Sequence, residues 1–146
     1  MGPVRPGDTV VDLGSGPRAL EAHLPAGCRY VPVDIVPRGP GSIVCDLNRD
    51  PLPHVQGDVV IMSGVLEYIH DVHRLLTGAR EIAPRAVVSY AAVEAFSDIN
   101  DRRSHGWMND IQLPSLREGF TAAGWAVVDE QQWQGHRVFE LASAQS

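Results

Sequence analysis

A strand, a glycine turn and a second strand near the start of the chain constrain its fold more than any other feature. The segment TVVDLGSGPRALEAHLPAGCRYVPVD covers residues 9–34. It leads from one apolar run, through two glycines and a short helical stretch, to a second apolar run that ends in an acid. Such a turn brings backbone N–H groups and the positive end of a helix dipole to the carboxyl edge of a parallel sheet, where ligands bind. The segment predicts a ligand-binding α/β sheet.

The remaining apolar runs extend this pattern along the whole chain. Several are continuous rather than alternating in polarity, which is typical of strands covered on both faces. The predicted strands are residues 9–13, 29–34, 42–45, 58–62, 85–90, 125–130 and 137–142. The helical candidates between them are residues 17–24, 71–83 and 115–123. The alternation predicts an α/β fold with a seven-stranded, mostly parallel sheet, helices on both faces and a C-terminal antiparallel hairpin.

Length and charge exclude several classes of protein. A chain of 146 residues is the size of one domain, so we predict a single domain over residues 1–146. The net charge of −6, with no basic block, argues against nucleic acid as a partner. Cys28 and Cys45 are isolated cysteines without metal-ligand spacing, so we expect reduced thiols and no metal site. No apolar window is long enough for a membrane span, and we expect a cytoplasmic protein.

The glycine turn fits two cofactors by spacing alone. Gly14, Gly16 and Ala19 match the dinucleotide pattern G-x-G-x-x-G/A, and Asp34 follows at the distance of an acid that holds a ribose diol. Asp12, two residues before the first glycine, separates the two readings. A carboxylate there would face the pyrophosphate of a dinucleotide, but it suits a ligand with a cationic ammonium group. The acid argues against a phosphate ligand.

Five stretches together resemble the class I S-adenosylmethionine-dependent methyltransferases. VVDLGSG is similar to the first motif of that family, with its D-x-G-x-G core. VPVDI places Asp34 at the end of the second strand, IVCDLN places Asp46 after the third, and DVVIMSGVLEYIHD covers the fourth strand and the turn after it. LREGFTAAGWAVVDE resembles the family's final helix, aromatic-glycine turn and strand. The resemblance covers most of residues 9–142 and implies S-adenosylmethionine as cofactor.

The chain departs from the family pattern in three ways. Arg18 stands where members usually have another glycine, and Tyr68 stands where they usually have histidine. Only eight residues precede the first predicted strand, so we do not expect the N-terminal helices that commonly cap cofactor and substrate. An open site follows from this, and a partner domain or protein is a candidate to close it.

The resemblance also assigns cofactor-binding roles to individual residues. Asp34 would accept the ribose hydroxyls, Asp46 the adenine amino group, and Leu47 would line the ring. The complete cofactor-binding prediction is Asp12, Gly14, Gly16, Asp34, Asp46, Leu47, Ser63 and Gly64. Six of these residues have a structural alternative: Asp34 as a turn cap, Asp46 as the start of an Asx turn, and the three glycines and Ser63 as parts of tight turns.

Substrate residues are predicted in the stretch DRRSHGWMND, residues 101–110, after the fifth strand. In an extended segment His105, Trp107 and Asn109 would point to one side, with His105 as catalytic base and the other two contacting substrate together with Tyr68. The alternative has Trp107 filling a gap under the C-terminal hairpin, His105 in solvent, and Asn109 or Asp110 capping the last helix.

These observations favour methyl transfer to a hydroxyl or amine of a small molecule or glycan. Methyl transfer from a sulfonium is an in-line displacement that needs alignment more than covalent chemistry, so it requires no catalytic triad. A methyltransferase-like binding or assembly module without activity is the alternative. An NAD-dependent oxidoreductase explains the glycines but not Asp12, Asp46 or the segment after the fourth strand.

Overall fold

The structure is a computed structural model that describes residues 3–144. Its strands are β1 (Thr9–Leu13), β2 (Arg29–Asp34), β3 (Ile43–Val44), β4 (Val59–Met62), β5 (Arg85–Tyr90), β6 (Trp125–Trp133) and β7 (His136–Ser143). They form one sheet in the order β3-β2-β1-β4-β5-β7-β6. The first five strands pair in parallel, and β7 lies antiparallel between β5 and β6. The predicted seven-stranded sheet with its C-terminal hairpin is confirmed.

The helices match the sequence prediction in two of three places. They are α1 (Val72–Ile82), α2 (Ile99–Ser104) and α3 (Leu113–Ala122), with 3-10 helices at Ala19–His23 and Leu66–Tyr68. Asp71 caps α1, because its Oδ1 accepts a hydrogen bond from the Arg74 N–H at 3.0 Å. The helix predicted over 17–24 is a short 3-10 turn, preceded by Arg18 in the left-handed conformation at φ 64°.

α2 contradicts the extended segment predicted after β5. Asp98 caps it through hydrogen bonds from the Asn100 and Asp101 N–H groups, and His105 is the first residue after its end. The helix was missed because INDRRS has no apolar stripe. Instead, the helix is held by Arg102, whose side chain is fully buried.

The main core lies on one face of the sheet. α1 buries Leu75, Leu76, Ala79 and Ile82 there, and α3 buries Leu113, Leu116 and Phe120. The Trp125 indole N–H donates to the Leu76 carbonyl at 2.9 Å and fixes β6 to α1. This spacing of apolar residues gives each helix one buried stripe against the sheet.

The second face of the sheet is covered differently. Its buried cluster is small, Val10, Val59 and Ile61, and the partly buried residues against it include Val4, Leu20 and Val87. Among the described residues, none of these side chains comes from α1, α2 or α3. A groove therefore remains along this face. Within the same part of the chain, no helix is long and apolar enough to cross a membrane.

Candidate functional site

The glycine turn after β1 is folded back onto β2. The N–H groups of Gly14 and Ser15 both donate to the Val33 carbonyl, at 2.7 and 3.0 Å. Gly14 has a φ of 74°, and a Cβ atom there would lie 2.6 Å from Val65 Cγ2. Only glycine fits this position, because it tolerates a positive φ and leaves room for Val65.

Asp12 is a buried carboxylate beneath this turn. Asp12 is 4% exposed, and its Oδ2 accepts a hydrogen bond from the Tyr30 hydroxyl at 2.6 Å. Burial raises the pKa of Asp12, the Tyr30 hydrogen bond opposes the rise, and the charge of Asp34 adds to it. A ligand with a positive charge would relieve both the burial and the repulsion. The site therefore favours a cationic group beside Asp12.

Arg18 replaces the family's usual glycine and keeps the backbone conformation that favours glycine. Its guanidinium donates to the carbonyls of Arg38 and Pro40 at 3.1 and 2.7 Å, pairs with Glu21 at 3.1 Å and lies 5.5 Å from the centre of the Tyr30 ring. The side chain thereby ties the glycine turn to the loop after β2.

A cavity of about 600 Å³, which we call the rim cavity, opens at the carboxyl ends of β1 to β4. It brings together seven of the predicted site residues: Gly14, Gly16, Asp34, Asp46, Leu47, Gly64 and Tyr68. Ile35, Asn48, Val65 and Ile69 complete much of its wall. The carboxylates and glycines that the sequence singles out in four separate loops therefore lie around one cavity.

The two rim carboxylates also make the turn contacts that the structural alternatives required. Asp34 accepts from the Ile35 N–H at 2.8 Å and pairs with Arg38 through its other oxygen. Asp46 Oδ1 accepts from the Asn48 N–H at 3.0 Å, which is an Asx turn. Both side chains nevertheless line the cavity, and each carboxylate oxygen has more than one lone pair to offer.

A groove of about 540 Å³, the second-face groove, adjoins the rim cavity and shares Gly14 and Gly64 with it. Asp12 and Ser63 line it, as do Ser15 and Ser89. The Ser15 hydroxyl is buried and has no hydrogen-bond partner among residues 3–144. A buried hydroxyl without a partner is expected where a ligand supplies the hydrogen bond.

Two aromatic residues of the groove were missed by sequence reasoning. Trp133 and His136 face each other across the β6–β7 hairpin and both line the groove. Because β7 runs antiparallel to β5, its first residue lies at the carboxyl edge of the parallel strands. The order of the strands, which the sequence pattern does not reveal, brings His136 to this edge.

The three residues predicted to face substrate from an extended segment are arranged differently. His105 is half-exposed, at 51% of its side chain, and its Nδ1 lies 2.8 Å from the Asp101 carbonyl oxygen. Its ring stacks on Trp107 at 4.6 Å between centroids, and Trp107 also packs edge-on against Phe96 at 5.5 Å. In the part of the chain that the structure describes, neither residue lines the rim cavity or the second-face groove.

Asn109 is engaged with the protein on both sides of its amide. Its Nδ2 donates to the carbonyls of Leu66 and Ile69 at 2.7 and 2.9 Å, and its Oδ1 accepts from the Tyr90 hydroxyl. This arrangement ties the segment after α2 to the 3-10 helix that follows β4. The contacts favour a structural role for Asn109, and its predicted contact with substrate stays a prediction.

Comparisons with known proteins agree with this geometry. A family model described as a methyltransferase domain matches residues 2–130, and the chain belongs to that family. The prediction of an S-adenosylmethionine-dependent methyltransferase is confirmed at this level. A search of curated proteins found no match.

Solved structures share the fold at low identity. The protein bound to the Trm112 methyltransferase activator of Haloferax volcanii has a TM-score of 0.79 at 19% identity, with 99% of this chain and 85% of that chain covered. An S-adenosylmethionine-dependent methyltransferase from Mesorhizobium loti has a TM-score of 0.75 at 17% identity, covering 97% and 93%. The O-methyltransferase NcsB1 of neocarzinostatin biosynthesis, in complex with S-adenosylmethionine and a naphthoic acid, has a TM-score of 0.74 at 20% identity, covering 92% and 48%.

The residues present fit S-adenosylmethionine, the cofactor that the sequence predicted. Asp34 and Asp46 offer acceptors to a ribose diol and an adenine amino group. At the other end, the buried Asp12 carboxylate and the unpartnered Ser15 hydroxyl suit an ammonium-bearing amino acid. Among the described residues, no cluster of three or more His, Cys, Asp or Glu has the arrangement of a metal site.

Proposed function

We propose that the chain transfers a methyl group from S-adenosylmethionine to a hydroxyl or amine of a small molecule or glycan. The observation that carries this proposal is the junction of the two cavities at Gly14 and Gly64. One cavity has the acids for a nucleoside, and the other has space beyond it for a second molecule. A binding module that only retains the cofactor would not need the second space.

Each end of the site has its own task in this proposal. Asp34 and Asp46 hold the nucleoside, and Asp12 neutralises the ammonium group of the amino-acid part. Bound S-adenosylmethionine supplies a methyl group that is activated by the positive charge of its sulfonium sulfur. Gly64 leaves this region open, because a Cβ atom there would have nothing within 4 Å. The protein's contribution is to align an acceptor with the methyl group, and alignment alone is worth roughly 7–11 kcal/mol.

A partner domain or protein that closes the second face is part of the proposal. The groove is open along a face on which, within residues 3–144, no α-helix contributes to the buried cluster. One structural neighbour is held in complex with a methyltransferase activator, which shows that this fold accommodates such a partner in that protein. We infer that closure of the groove, by a partner or by the acceptor itself, accompanies turnover.

Calorimetric titration tests the cofactor assignment. We expect micromolar binding of S-adenosylmethionine or S-adenosylhomocysteine and no binding of NAD, measured in parallel on the same preparation. At a hundredfold excess over the dissociation constant, the bound nucleoside should raise the unfolding free energy by about 2.7 kcal/mol. Binding of NAD alone would overturn the proposal. Binding of S-adenosylhomocysteine without turnover of any hydroxyl or amine acceptor would favour the non-catalytic module.

A further inference from the structure

The second-face groove is lined by apolar side chains along most of its length and by polar groups at one end. Val4, Leu20 and Ile61 form part of the apolar wall, and Val87 and Val138 continue it across β5 and β7. The polar groups gather at the carboxyl edge of the sheet. An occupant with the same division, apolar along most of its length and polar at one end, fits this wall.

Trp133 stands at the groove with its indole unusually exposed. It is 64% exposed, the largest exposure among the large apolar residues that the structure describes. It lies directly across the hairpin from His136, so both side chains are on the same face of the sheet. An exposed indole beside an apolar groove provides a surface on which a ring can stack.

His136 is positioned to act as a base at the polar end. It and Asp12 are the two titratable side chains that line the groove within residues 3–144. Asp12 accepts a hydrogen bond from Tyr30, and the proposed function assigns it to the ammonium group of the cofactor, which leaves His136 for the acceptor. The His136 ring packs against the Phe96 ring at 5.1 Å between centroids, which holds it at this end of the groove.

Glu67 is a buried carboxyl group whose pKa responds to the charge of His136. It is 1% exposed; its Oε2 accepts from the Ala91 N–H at 2.9 Å, and its Oε1 has no partner among the described residues. Burial raises the pKa of Glu67, and the charges of His136 and Arg102 act against that rise. The Glu67 carboxyl group therefore lies within electrostatic reach of His136.

We propose that the second-face groove binds a ring-bearing apolar acceptor with one hydroxyl group, and that His136 takes the proton of that hydroxyl. The inference rests on the proposed methyl transfer. The acceptor oxygen forms its bond to the methyl carbon as the carbon–sulfur bond breaks, and the bonding pair remains on sulfur. The hydroxyl proton passes to the imidazole of His136, which releases it to solvent after the methyl ether leaves.

Titration of the S-adenosylhomocysteine-loaded protein with 2-naphthol tests the groove. We expect binding at micromolar to submillimolar concentration, weakened at least fivefold by Trp133→Ala because the stacking surface is lost. Val128→Ala is the matched control, since Val128 is an exposed apolar residue of the same strand that does not line the groove. No binding of 2-naphthol, or binding that Trp133→Ala leaves unchanged, would overturn the groove assignment.

Methylation of 2-naphthol tests the base. His136→Gln should lower turnover by roughly 10²–10⁴-fold while 2-naphthol and S-adenosylhomocysteine still bind within about twofold of wild type. His73→Gln, an exposed histidine on α1, is the control for loss of a histidine.

The outcomes separate the inference from the function on which it rests. Turnover of His136→Gln within threefold of wild type overturns the base assignment, and 2-naphthol that binds without being methylated by wild type overturns the placement of the hydroxyl. Failure of wild type to bind S-adenosylhomocysteine overturns the proposed function itself. Loss of turnover in His105→Ala instead would return the base role to the residue predicted from sequence.

Discussion

The segment after β5 and the rim of the sheet are both rich in polar residues. They differ in whether their buried polar groups have hydrogen-bond partners. In residues 91–112, here the Arg102 segment, the buried guanidinium of Arg102 donates to Asp110, to the Tyr90 hydroxyl and to three backbone carbonyls. At the glycine turn on the rim of the sheet, the buried Ser15 hydroxyl lacks a partner among residues 3–144, and burial raises the pKa of Asp12. Satisfied polar groups hold structure, and unsatisfied ones mark a place for a ligand.

The largest effect on this comparison is expected from Arg102→Met. The substitution leaves the carbonyls of Ala91 and Asn109 and the Asp110 carboxylate without their buried donor. Breaking a buried, hydrogen-bonded ion pair costs about 3–5 kcal/mol of unfolding free energy. Denaturant unfolding measures the loss.

Arg103→Met is the matched control for that experiment. Arg103 pairs with the same Asp110 from the same helix, but its side chain is 44% exposed. An exposed pair of this kind contributes far less to stability than a buried one, because solvent screens it. Equal losses in the two variants would show that burial does not distinguish the two arginines.

Asp34→Ala should have the next largest effect, and on binding rather than on stability. Loss of charged hydrogen bonds to a ribose diol is expected to cost roughly 2–4 kcal/mol of S-adenosylhomocysteine binding, thirtyfold or more in the dissociation constant. If Asp34 only caps its turn, the change would instead appear as about 1 kcal/mol of unfolding free energy with the affinity retained.

Arg38→Ala tests whether the Asp34 carboxylate or its ion pair with Arg38 serves the ligand. In the structure Arg38 pairs with Asp34, so its removal frees a carboxylate oxygen for the ligand. We expect the affinity for S-adenosylhomocysteine to stay the same or increase in this variant. A loss as large as that of Asp34→Ala would mean that the ion pair, and not the carboxylate, serves the ligand.

The sequence predicted the rim far better than the Arg102 segment, for a physical reason. Continuous apolar runs record burial on both faces of a strand, so all seven strands could be located, and the acids at their ends followed. α2 has no apolar pattern of this kind, because the side chain that it buries is the guanidinium of Arg102, whose hydrogen-bond partners lie up to 12 residues away in sequence. The sequence pattern treats Arg102 as a surface charge, and only the folded chain shows that it is not.

His136 escaped prediction because its position depends on strand order. A hairpin at the end of the chain was expected, but the pattern does not say which of its strands pairs with β5. In the structure β7 does, and its first residue therefore reaches the groove. Local spacing also predicted an extended course for residues 101–110, and this was wrong for the first half, because α2 ends at Ser104 and His105 follows it in a helical conformation.

Asp12→Asn should give a smaller effect, which weakens binding of S-adenosylhomocysteine but does not weaken the stability of the fold. Because the folded-state pKa of Asp12 is raised, its ionised form opposes folding at neutral pH, and the neutral amide removes that cost. We expect the melting temperature to be unchanged or higher. The affinity for S-adenosylhomocysteine should fall about three- to thirtyfold, because the partner of the ammonium group loses its charge. A lower melting temperature with unchanged affinity would assign Asp12 to the structure instead of the site.

The smallest effect is the pH dependence that Asp110 gives to the stability of the protein, and it is measured on acidification. Hydrogen bonds from Arg103 hold the pKa of Asp110 at about 2, below its ordinary value of 3.8, and burial opposes this lowering. A depressed folded-state pKa means that the contribution of Asp110 to stability is complete above about pH 4 and is lost as the pH falls toward 2. Asp110→Asn should therefore melt below wild type at pH 7, and the gap should narrow between pH 4 and pH 2. Other carboxylates titrate in the same range, but they do so in both proteins, so the difference isolates Asp110. A difference in melting temperature that stays constant with pH would show that Asp110 acts through its shape and neutral hydrogen bonds. The negative charge of Asp110 would then not be part of what distinguishes the Arg102 segment from the rim.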